Sequence, residues 1–249
     1  PAMRANLLIL CAILLVLVTG CEPRPEAEKA PAKAASAADA ASAPAPAPNA
    51  ADATPVDPRE ALLKPELANA TAPDTFRARF TTTKGEFVIA CERKLAPLGA
   101  DRFYNLVRIG FFSDVAFFRA VKGFMVQFGI HGDPMVGQRW RGAGIADEPP
   151  RASNVRGAVT FAMGGPNSRT TQLFINYDDR NEGLDGMGFA PIGKVVEGME
   201  VVDSLYTGYG DAPPDGNGPE QRLMHELGNS YLKAQFPQLD YIVKAEIEP

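Results

Sequence analysis

Two polar side chains, Arg119 and Gln127, lie eight residues apart in a stretch of aromatic, methionine and aliphatic residues that runs from Phe117 to Gly129. Successive side chains of a strand point to opposite faces. A charged arginine in so apolar a run is expected to reach a rim or to line a groove, because an unpaired buried charge is too costly to keep. An apolar groove with one guanidinium suits an apolar group beside a polar backbone, as in a prolyl residue of a peptide.

Many short strands and few helices are predicted to position these two residues. Residues 115–121 and 124–129 are predicted strands, joined by a turn at Lys122-Gly123, that carry the arginine and the glutamine. Residues 130–154 and 207–218 are rich in Gly and Pro and are predicted to be loops. Further strands are predicted over 76–82, 85–91, 157–163, 172–176, 190–195 and 239–247, and helices over 97–111, 198–205 and 219–235. Because strands and helices do not alternate, this pattern favours a closed antiparallel barrel with helices at its ends.

Three sequence blocks occur in one order and spacing across about residues 76–206. They comprise 117–129, then 161–168 with 171–176, then 184–186 with 193–199. Together the blocks resemble the signatures of the cyclophilins, the peptidyl-prolyl cis-trans isomerases. The resemblance implies a mainly β fold, namely a closed eight-stranded antiparallel barrel capped by helices.

The resemblance also implies the roles of individual residues. Arg119 is expected to donate to the prolyl nitrogen as the amide twists, which stabilises the twisted state more than the ground state. Gln127 is expected to hold that guanidinium or to bond the substrate backbone, so that Arg119 and Gln127 are the predicted catalytic pair. The predicted substrate-binding residues are Phe124, Met125, Ala162, Met163, Gly164, Gln172, Leu173, Phe174, Leu184 and Phe189.

Three positions depart from the family's pattern. Many eukaryotic cyclophilins have an asparagine at the position of Met163. The tryptophan with which the family binds cyclosporin is replaced by Gly183. The histidine of the family's pocket is replaced by Phe189. None of these changes removes the arginine, the glutamine or the apolar slot. We therefore expect an active isomerase that binds cyclosporin weakly.

Residues 1–20 resemble a bacterial lipoprotein signal peptide. Arg4 precedes an apolar run of 12 residues, 7–18, which has the length of a signal-peptide hydrophobic region and is too short to span a bilayer. The following Val-Thr-Gly-Cys sequence resembles a lipobox, so Cys21 is predicted to carry a lipid anchor. An ordinary secretory signal with a chance cysteine is the alternative. The predicted location is the periplasmic side of the cell envelope, and the absence of Asp after Cys21 favours the outer membrane.

Ala and Pro dominate residues 21–75, which are predicted to be a disordered linker because they cannot bury enough apolar area to offset their ordering entropy. A short helix is predicted within 59–69, and a short docking motif is an alternative interpretation of the segment. Residues 76–249 are predicted to form a single isomerase domain of the cyclophilin type.

The charge, the cysteines and the histidines of the sequence indicate which partners and cofactors are expected. The formal net charge is −5 and no cluster of Lys and Arg occurs, which argues against nucleic-acid binding. Cys91 is predicted to be a buried structural thiol, with a redox or nucleophilic role as the alternative. His131 and His225 are far apart in the sequence and make no metal site with one thiol, although a role for His131 at the groove rim stays open. We expect a monomer that needs no metal and no cofactor.

Three functions from different classes are weighed against these observations. The first is an isomerase that acts on proline-containing segments of unfolded or exported proteins and thereby assists their folding. The second is a lipoprotein that binds proline-containing peptides without turnover, and a third, purely structural envelope lipoprotein would give the groove no role. A hydrolase is poorly supported because no Gly-x-Ser-x-Gly sequence occurs.

Overall fold

The computed structural model describes residues 57–249, in which six α-helices and nine β-strands occur. The helices are α1 (Pro58–Leu63), α2 (Pro97–Arg108), α3 (Pro134–Arg141), α4 (Met199–Asp203), α5 (Gln221–Leu227) and α6 (Asn229–Gln235). The strands are β1 (Thr75–Thr82), β2 (Gly85–Glu92), β3 (Val115–Ala116), β4 (Arg119–Val121), β5 (Met125–Phe128), β6 (Ala158–Phe161), β7 (Leu173–Asn176), β8 (Pro191–Glu197) and β9 (Tyr241–Ile247). Short 3₁₀ helices cover Pro65–Leu67, Arg93–Leu95 and Asp179–Met187. Within residues 57–249, no helix has the length and apolar character that crossing a membrane requires.

All nine strands belong to one sheet, in the order β3-β9-β1-β2-β8-β6-β7-β5-β4, and neighbouring strands are antiparallel. The mainly β fold is confirmed, but the predicted closed eight-stranded barrel is wrong. The sheet is a nine-stranded half-barrel, and its edge strands β3 and β4 do not pair with each other.

Residues 115–121, predicted as one strand, are divided between the two edges of this sheet. The Phe117 N–H donates to the carbonyl of Asp240, which precedes β9, at 2.9 Å. The Phe118 N–H donates to the carbonyl of Gln127 in β5 at 3.1 Å. Since successive N–H groups of an extended chain point in opposite directions, this segment bonds to one edge and then to the other. The segment therefore becomes two short strands, and the chain itself connects the two edges.

Phenylalanine rings fill the interior of the curved sheet. Phe80 packs at the centre, with its ring centroid 5.1–6.1 Å from those of Phe87, Phe103, Phe112 and Phe128. All five side chains are buried. Aromatic side chains bury a large apolar area each, so this cluster supplies much of the hydrophobic stabilisation that holds the strands in place.

The Cys91 side chain lies in the same core and has no disulfide partner within residues 57–249. Burial raises the pKa of its thiol, because a thiolate is poorly solvated there. The prediction that Cys91 is buried is confirmed.

The N-terminal part of the described chain packs against the domain. Helix α1 confirms the short helix predicted within 59–69, and Ala61 and Ala72 are buried in the main core. The indole N–H of Trp140 donates to the carbonyl of Leu62 at 2.9 Å. The predicted disordered linker, residues 21–75, is therefore wrong for residues 57–75. The predicted signal peptide, Cys21 and the rest of the linker up to residue 56 lie outside the described residues.

Residues 130–154, predicted to be a loop, contain helix α3. Its first turn is capped by Asp133, whose side chain accepts from the Met135 N–H at 2.8 Å, and Pro134 occupies the first helical position. Trp140 lies on the buried face of this helix. The loop prediction is wrong for this helix because it relied on the Gly and Pro content of the segment. The buried tryptophan and the cap stabilise the helix in spite of that content.

The predicted helix 219–235 is broken into α5 and α6 at Gly228. This residue has a φ of 59°, and a Cβ there would meet the carbonyl oxygen of Gly132 at 2.1 Å. Only glycine fits such a close backbone approach at positive φ. The break turns α5 so that it can pack against α3.

Candidate active site

Arg119 and Gln127 are directly opposite each other in the β4–β5 hairpin. One guanidinium N–H, on Nη1 of Arg119, donates to Oε1 of Gln127 at 3.2 Å. The Gln127 amide donates in turn to Oε1 of Gln172 at 2.8 Å, and Gln172 donates to Oε1 of Gln221 at 3.2 Å. Gln127 is only 6% exposed, so this chain of hydrogen bonds satisfies a buried amide and fixes its orientation.

An apolar cavity of about 230 Å³ opens beside this hairpin. Phe174 of β7 lies next to Gln127 in the sheet, and its ring meets that of Phe189 edge-on with centroids 5.8 Å apart. The Arg119 guanidinium lies 5.8 Å from the centre of the Phe124 ring. The cavity is lined by Arg119, Phe124, Met125, Gln127, Ala162, Met163, Phe174, Leu184, Phe189 and Gln221. It therefore combines an apolar surface with one guanidinium, as the sequence predicted.

Two predicted residues lie just outside this cavity. Gly164 and Gln172 line an adjoining space of about 240 Å³, which shares Gln127, Ala162 and Met163 with the first. Beyond it, a third space of about 420 Å³ is lined by Gly164, Gln172, Gln221 and the side chains of His131, Arg141, Thr170, Arg222 and His225. The three spaces follow one another, so a peptide could extend from the apolar cavity along residues 162–164.

Leu173 is the one predicted binding residue that the structure moves elsewhere. Its side chain is 0% exposed and belongs to the main core. Gln172 and Phe174 face the groove, and the side chain between them points to the opposite face of the strand. The prediction that Leu173 lines the groove is therefore wrong, because the period of a strand excludes it.

Asp211 contacts the predicted catalytic arginine and was not found from the sequence. Its Oδ1 accepts from Nε of Arg119 at 2.8 Å, and its Oδ2 accepts from Nη2 at 2.6 Å. The guanidinium holds the pKa of the Asp211 carboxyl below its usual range, although partial burial opposes this effect. Asp211 and Gln221 both lie far from the hairpin in sequence, and no motif marks either of them.

Buried asparagines support the walls of the cavity from behind. The Asn181 amide donates to the carbonyl of Phe124 at 2.7 Å and to Oδ1 of Asn176 at 2.8 Å. The Asn154 amide donates to the carbonyl of Phe189 at 2.8 Å and to Oδ1 of Asp185 at 2.7 Å. The Phe124 carbonyl also accepts from the Tyr177 N–H at 2.9 Å. These bonds to the backbone of Phe124 and Phe189 help to fix the two aromatic residues of the cavity.

Both histidines lie at the far end of the groove. Burial lowers the pKa of His131, and burial together with the charge of Arg141 lowers the pKa of His225. His225, in helix α5, is half-buried. Across residues 57–249, His, Cys, Asp and Glu form no group of three or more that could hold a metal ion.

The nine-stranded antiparallel half-barrel carries a guanidinium beside an apolar cavity, an arrangement that suits an apolar ring next to a peptide backbone. The family model described as "Cyclophilin type peptidyl-prolyl cis-trans isomerase/CLD" matches residues 77–223. The chain belongs to this family of isomerases, as the sequence blocks indicated.

Bacterial relatives support the same assignment. Peptidyl-prolyl cis-trans isomerase A of Dickeya dadantii is 34% identical over 130 residues, which cover 50% of this chain and 68% of that protein. Peptidyl-prolyl cis-trans isomerase B of Escherichia coli is 34% identical over 134 residues, which cover 51% of this chain and 81% of that protein.

A solved structure shares the fold. A cyclophilin-type isomerase of Cryptosporidium parvum is similar with a TM-score of 0.53 and 22% identity, over 70% of this chain and 98% of that one. A second structure of the same protein was determined in the presence of the dipeptide Ala-Pro. At this identity the likeness shows the fold alone, and it confirms the cyclophilin fold.

Proposed function

We propose that this chain catalyses the cis–trans rotation of X-Pro bonds in exported proteins, with Arg119 and Gln127 as its catalytic residues, and so assists their folding in the cell envelope. The observation that carries the proposal is the Arg119 guanidinium at the wall of an apolar cavity, hydrogen-bonded to Gln127. Membership of the isomerase family supports the reaction.

The reaction needs no bond to be made or broken between protein and substrate. Resonance gives the peptide bond a rotation barrier of about 18–20 kcal/mol, and uncatalysed X-Pro exchange takes tens to hundreds of seconds. As the bond twists, the prolyl nitrogen becomes pyramidal and gains a lone pair that can accept a hydrogen bond. A donor placed there stabilises the twisted state selectively, and each ~1.4 kcal/mol gained raises the rate tenfold.

The residues of the groove divide this work. The prolyl ring enters the apolar cavity against Met125, Phe174 and Phe189, which bury it away from water. The peptide backbone runs along residues 162–164, where Gly164 leaves open space next to the chain. Arg119 then faces the prolyl nitrogen, and Gln127 keeps the guanidinium from rotating away.

An isomerisation assay on an Ala-Pro peptide tests the catalytic role of Arg119. The full chain is compared with Arg119→Ala at matched circular dichroism, and peptide affinity is measured beside the rate. A matched control is Arg156→Ala, since Arg156 also holds an aspartate, Asp203, through two hydrogen bonds but does not line the groove.

We expect Arg119→Ala to lower kcat/KM by about 100-fold, with a smaller loss of peptide affinity, and Arg156→Ala to stay within about twofold. A folded wild type that binds the peptide without accelerating isomerisation would favour the alternative of a non-catalytic peptide-binding chaperone. An active wild type with an equally active Arg119→Ala variant would move the catalytic role to another residue.

The location in the cell envelope is supported by the lipobox-like sequence that ends at Cys21. A lipid on this cysteine would tether the domain to a membrane through the Ala- and Pro-rich residues that follow it. Its substrates would then be proteins that have crossed the inner membrane and still carry non-native X-Pro bonds.

Fractionation of a Gram-negative host that expresses the full chain tests this location. We expect the wild type in the membrane fraction, resistant to high salt, and Cys21→Ala in the soluble fraction or retained as an unprocessed precursor. The two sequences differ only at residue 21, which belongs to none of the three motif blocks, so isomerase activity per molecule serves as the control. Wild type found in the soluble fraction would contradict the lipid anchor and leave the isomerase assignment untouched.

A further inference from the structure

We infer that Asp211 is a positioning residue of the isomerase, which holds the Arg119 guanidinium in its productive orientation before the substrate arrives. The inference rests on the catalytic role proposed for Arg119 and adds to it the group that sets its geometry. Nothing in the three sequence blocks includes Asp211, which lies 92 residues after Arg119.

A count of the N–H groups of Arg119 shows what this contact leaves for the substrate. A guanidinium has five N–H groups in a planar fork. Asp211 takes one on Nε and one on Nη2, at 2.8 and 2.6 Å, and Gln127 takes one on Nη1. One N–H on Nη1 and one on Nη2 remain free of these three contacts. Both lie in the plane of the guanidinium, and the Asp211 carboxylate fixes the orientation of that plane. The substrate therefore meets two donors of defined direction.

The segment around Asp211 is built to hold its carboxylate still. The Ala212 N–H donates to Oδ1 of Asp211 at 2.7 Å, and the Gly218 N–H donates to the Asp211 carbonyl at 2.7 Å. A Cβ at Gly216 would lie 2.2 Å from that carbonyl oxygen, so the loop closes too tightly there for any other residue.

The same segment is fastened to the strand that carries the arginine. The N–H of Ala120, the residue after Arg119, donates to the carbonyl of Gly210 at 3.3 Å. The side chain of Arg119 thus binds Asp211, and the backbone of Ala120 binds the preceding residue, Gly210. The strand and the loop are therefore joined at two adjacent positions. Any movement of the loop would move the carboxylate and the strand together, which keeps their relation constant.

A structural reading of the pair is that Asp211 only anchors the loop. Arg119 and Asp211 are 29% and 27% exposed, and ion pairs open to solvent contribute little to stability. A long arginine side chain loses much rotamer freedom when it is held, and here the aspartate imposes this loss before substrate binds. Orientation of the donor is therefore the larger consequence of the contact, and the rate rather than the fold should respond to its loss.

The test measures kcat/KM and the peptide dissociation constant for the full-length wild type, Asp211→Ala, Asp211→Asn and Asp211→Glu. Asparagine keeps the shape and one acceptor but loses the charge, whereas glutamate keeps the charge on a longer stem. Asp203→Ala is the matched control, because it removes a carboxylate that also holds an arginine through two hydrogen bonds, away from the groove. Thermal unfolding of each variant accompanies the kinetics.

We expect Asp211→Ala to lower kcat/KM by about 10- to 100-fold, since misplacing a catalytic group by about 1 Å can cost 100-fold. The dissociation constant of the peptide should change by less than about threefold. A loss of rate without a matching loss of affinity distinguishes a positioning role from a merely structural one. The kcat/KM values of Asp211→Asn and Asp211→Glu should lie between those of the wild type and Asp211→Ala. The kcat/KM of Asp203→Ala should stay within about twofold of the wild type.

A second comparison uses Arg119→Lys, whose ammonium cannot be held by a carboxylate through two parallel hydrogen bonds. If Asp211 acts through the guanidinium, adding Asp211→Ala to Arg119→Lys should change the residual rate by less than about twofold. The inference is overturned if Arg119→Ala is slow while Asp211→Ala and Asp211→Asn keep the wild-type rate. If Arg119→Ala is as fast as the wild type, the proposed role of Arg119 fails instead, so the two failures are distinguishable.

Discussion

The amide of Gln127 donates to Oε1 of Gln172 at 2.8 Å, which joins strand β5 to the residue that precedes strand β7. Gln127 thereby has both ends of its amide engaged, one on Arg119 and one on Gln172. A side chain fixed at both ends cannot follow the guanidinium if the latter rotates. Gln127 thus holds the Nη1 end of the Arg119 guanidinium, while Asp211 holds its Nε and Nη2 groups.

Replacing Gln127 by alanine should therefore lower kcat/KM by about tenfold, because the guanidinium loses one of its supports. Measurement by the isomerisation assay should include Gln221→Ala, which removes the other end of the glutamine chain and should cost less than about threefold. An equal loss in both variants would show that the whole chain of glutamines, and not Gln127 alone, sets the position of Arg119.

Phe174 and Leu173 are neighbours in sequence on opposite faces of β7, and their substitution should have different effects. Phe174→Leu should raise the peptide dissociation constant several-fold, because about 25 cal/mol is lost for each Å² of ring contact removed. Leu173→Ala should leave affinity within about twofold but lower the free energy of unfolding by about 2–5 kcal/mol, since it opens a cavity in the core. Peptide titration and urea unfolding of both variants check the assignment, and a loss of affinity in Leu173→Ala at full folding would contradict it.

The contact between Trp140 and Leu62 predicts where the folded unit begins. A chain that starts at residue 70 lacks α1 and leaves the indole N–H without its acceptor, which costs about 1–3 kcal/mol, and it also exposes core surface beneath Ala61. Urea unfolding should show a lower stability for this chain than for one that starts at residue 57. Equal stability of the two chains would mean that α1 contributes nothing to the fold.

The stability of the protein should fall between pH 7 and pH 5 because of its two histidines. The pKa of His131 and that of His225 are both lowered by burial, so the folded state favours the neutral rings. The unfolded chain binds protons with a pKa near 6.5, and stability is therefore full above that value and is lost as the pH falls through it toward the lower folded pKa values.

Urea unfolding at pH 7, 6 and 5 measures this dependence. The double variant His131→Gln/His225→Gln should lose most of the decline, since these are the only histidines in the chain. Carboxylates with lowered pKa values, such as Asp211, lose their contribution only at more acidic pH, so they do not interfere in this range. An unchanged decline in the double variant would assign it to other groups.

The sequence by itself determined the family, the hairpin that carries Arg119 and Gln127, and most of the residues that line the cavity. Arg119 and Gln127 are close in the chain, and the alternation of side chains along β5 and β7 follows directly from the strand period. Local turn and strand signals therefore suffice to place them opposite each other. The same period, applied strictly, would also have excluded Leu173 from the groove.

Only the tertiary structure decided the rest. Asp211 contacts Arg119 from 92 residues away, and Gln221 contacts Gln172 from 49 residues away. Such pairings leave no local pattern in a single sequence. The division of residues 115–121 between two sheet edges and the packing of α1 on Trp140 depend on how the sheet curves. These features come from long-range packing and hydrogen bonding, which satisfy buried groups wherever the chain happens to bring them together.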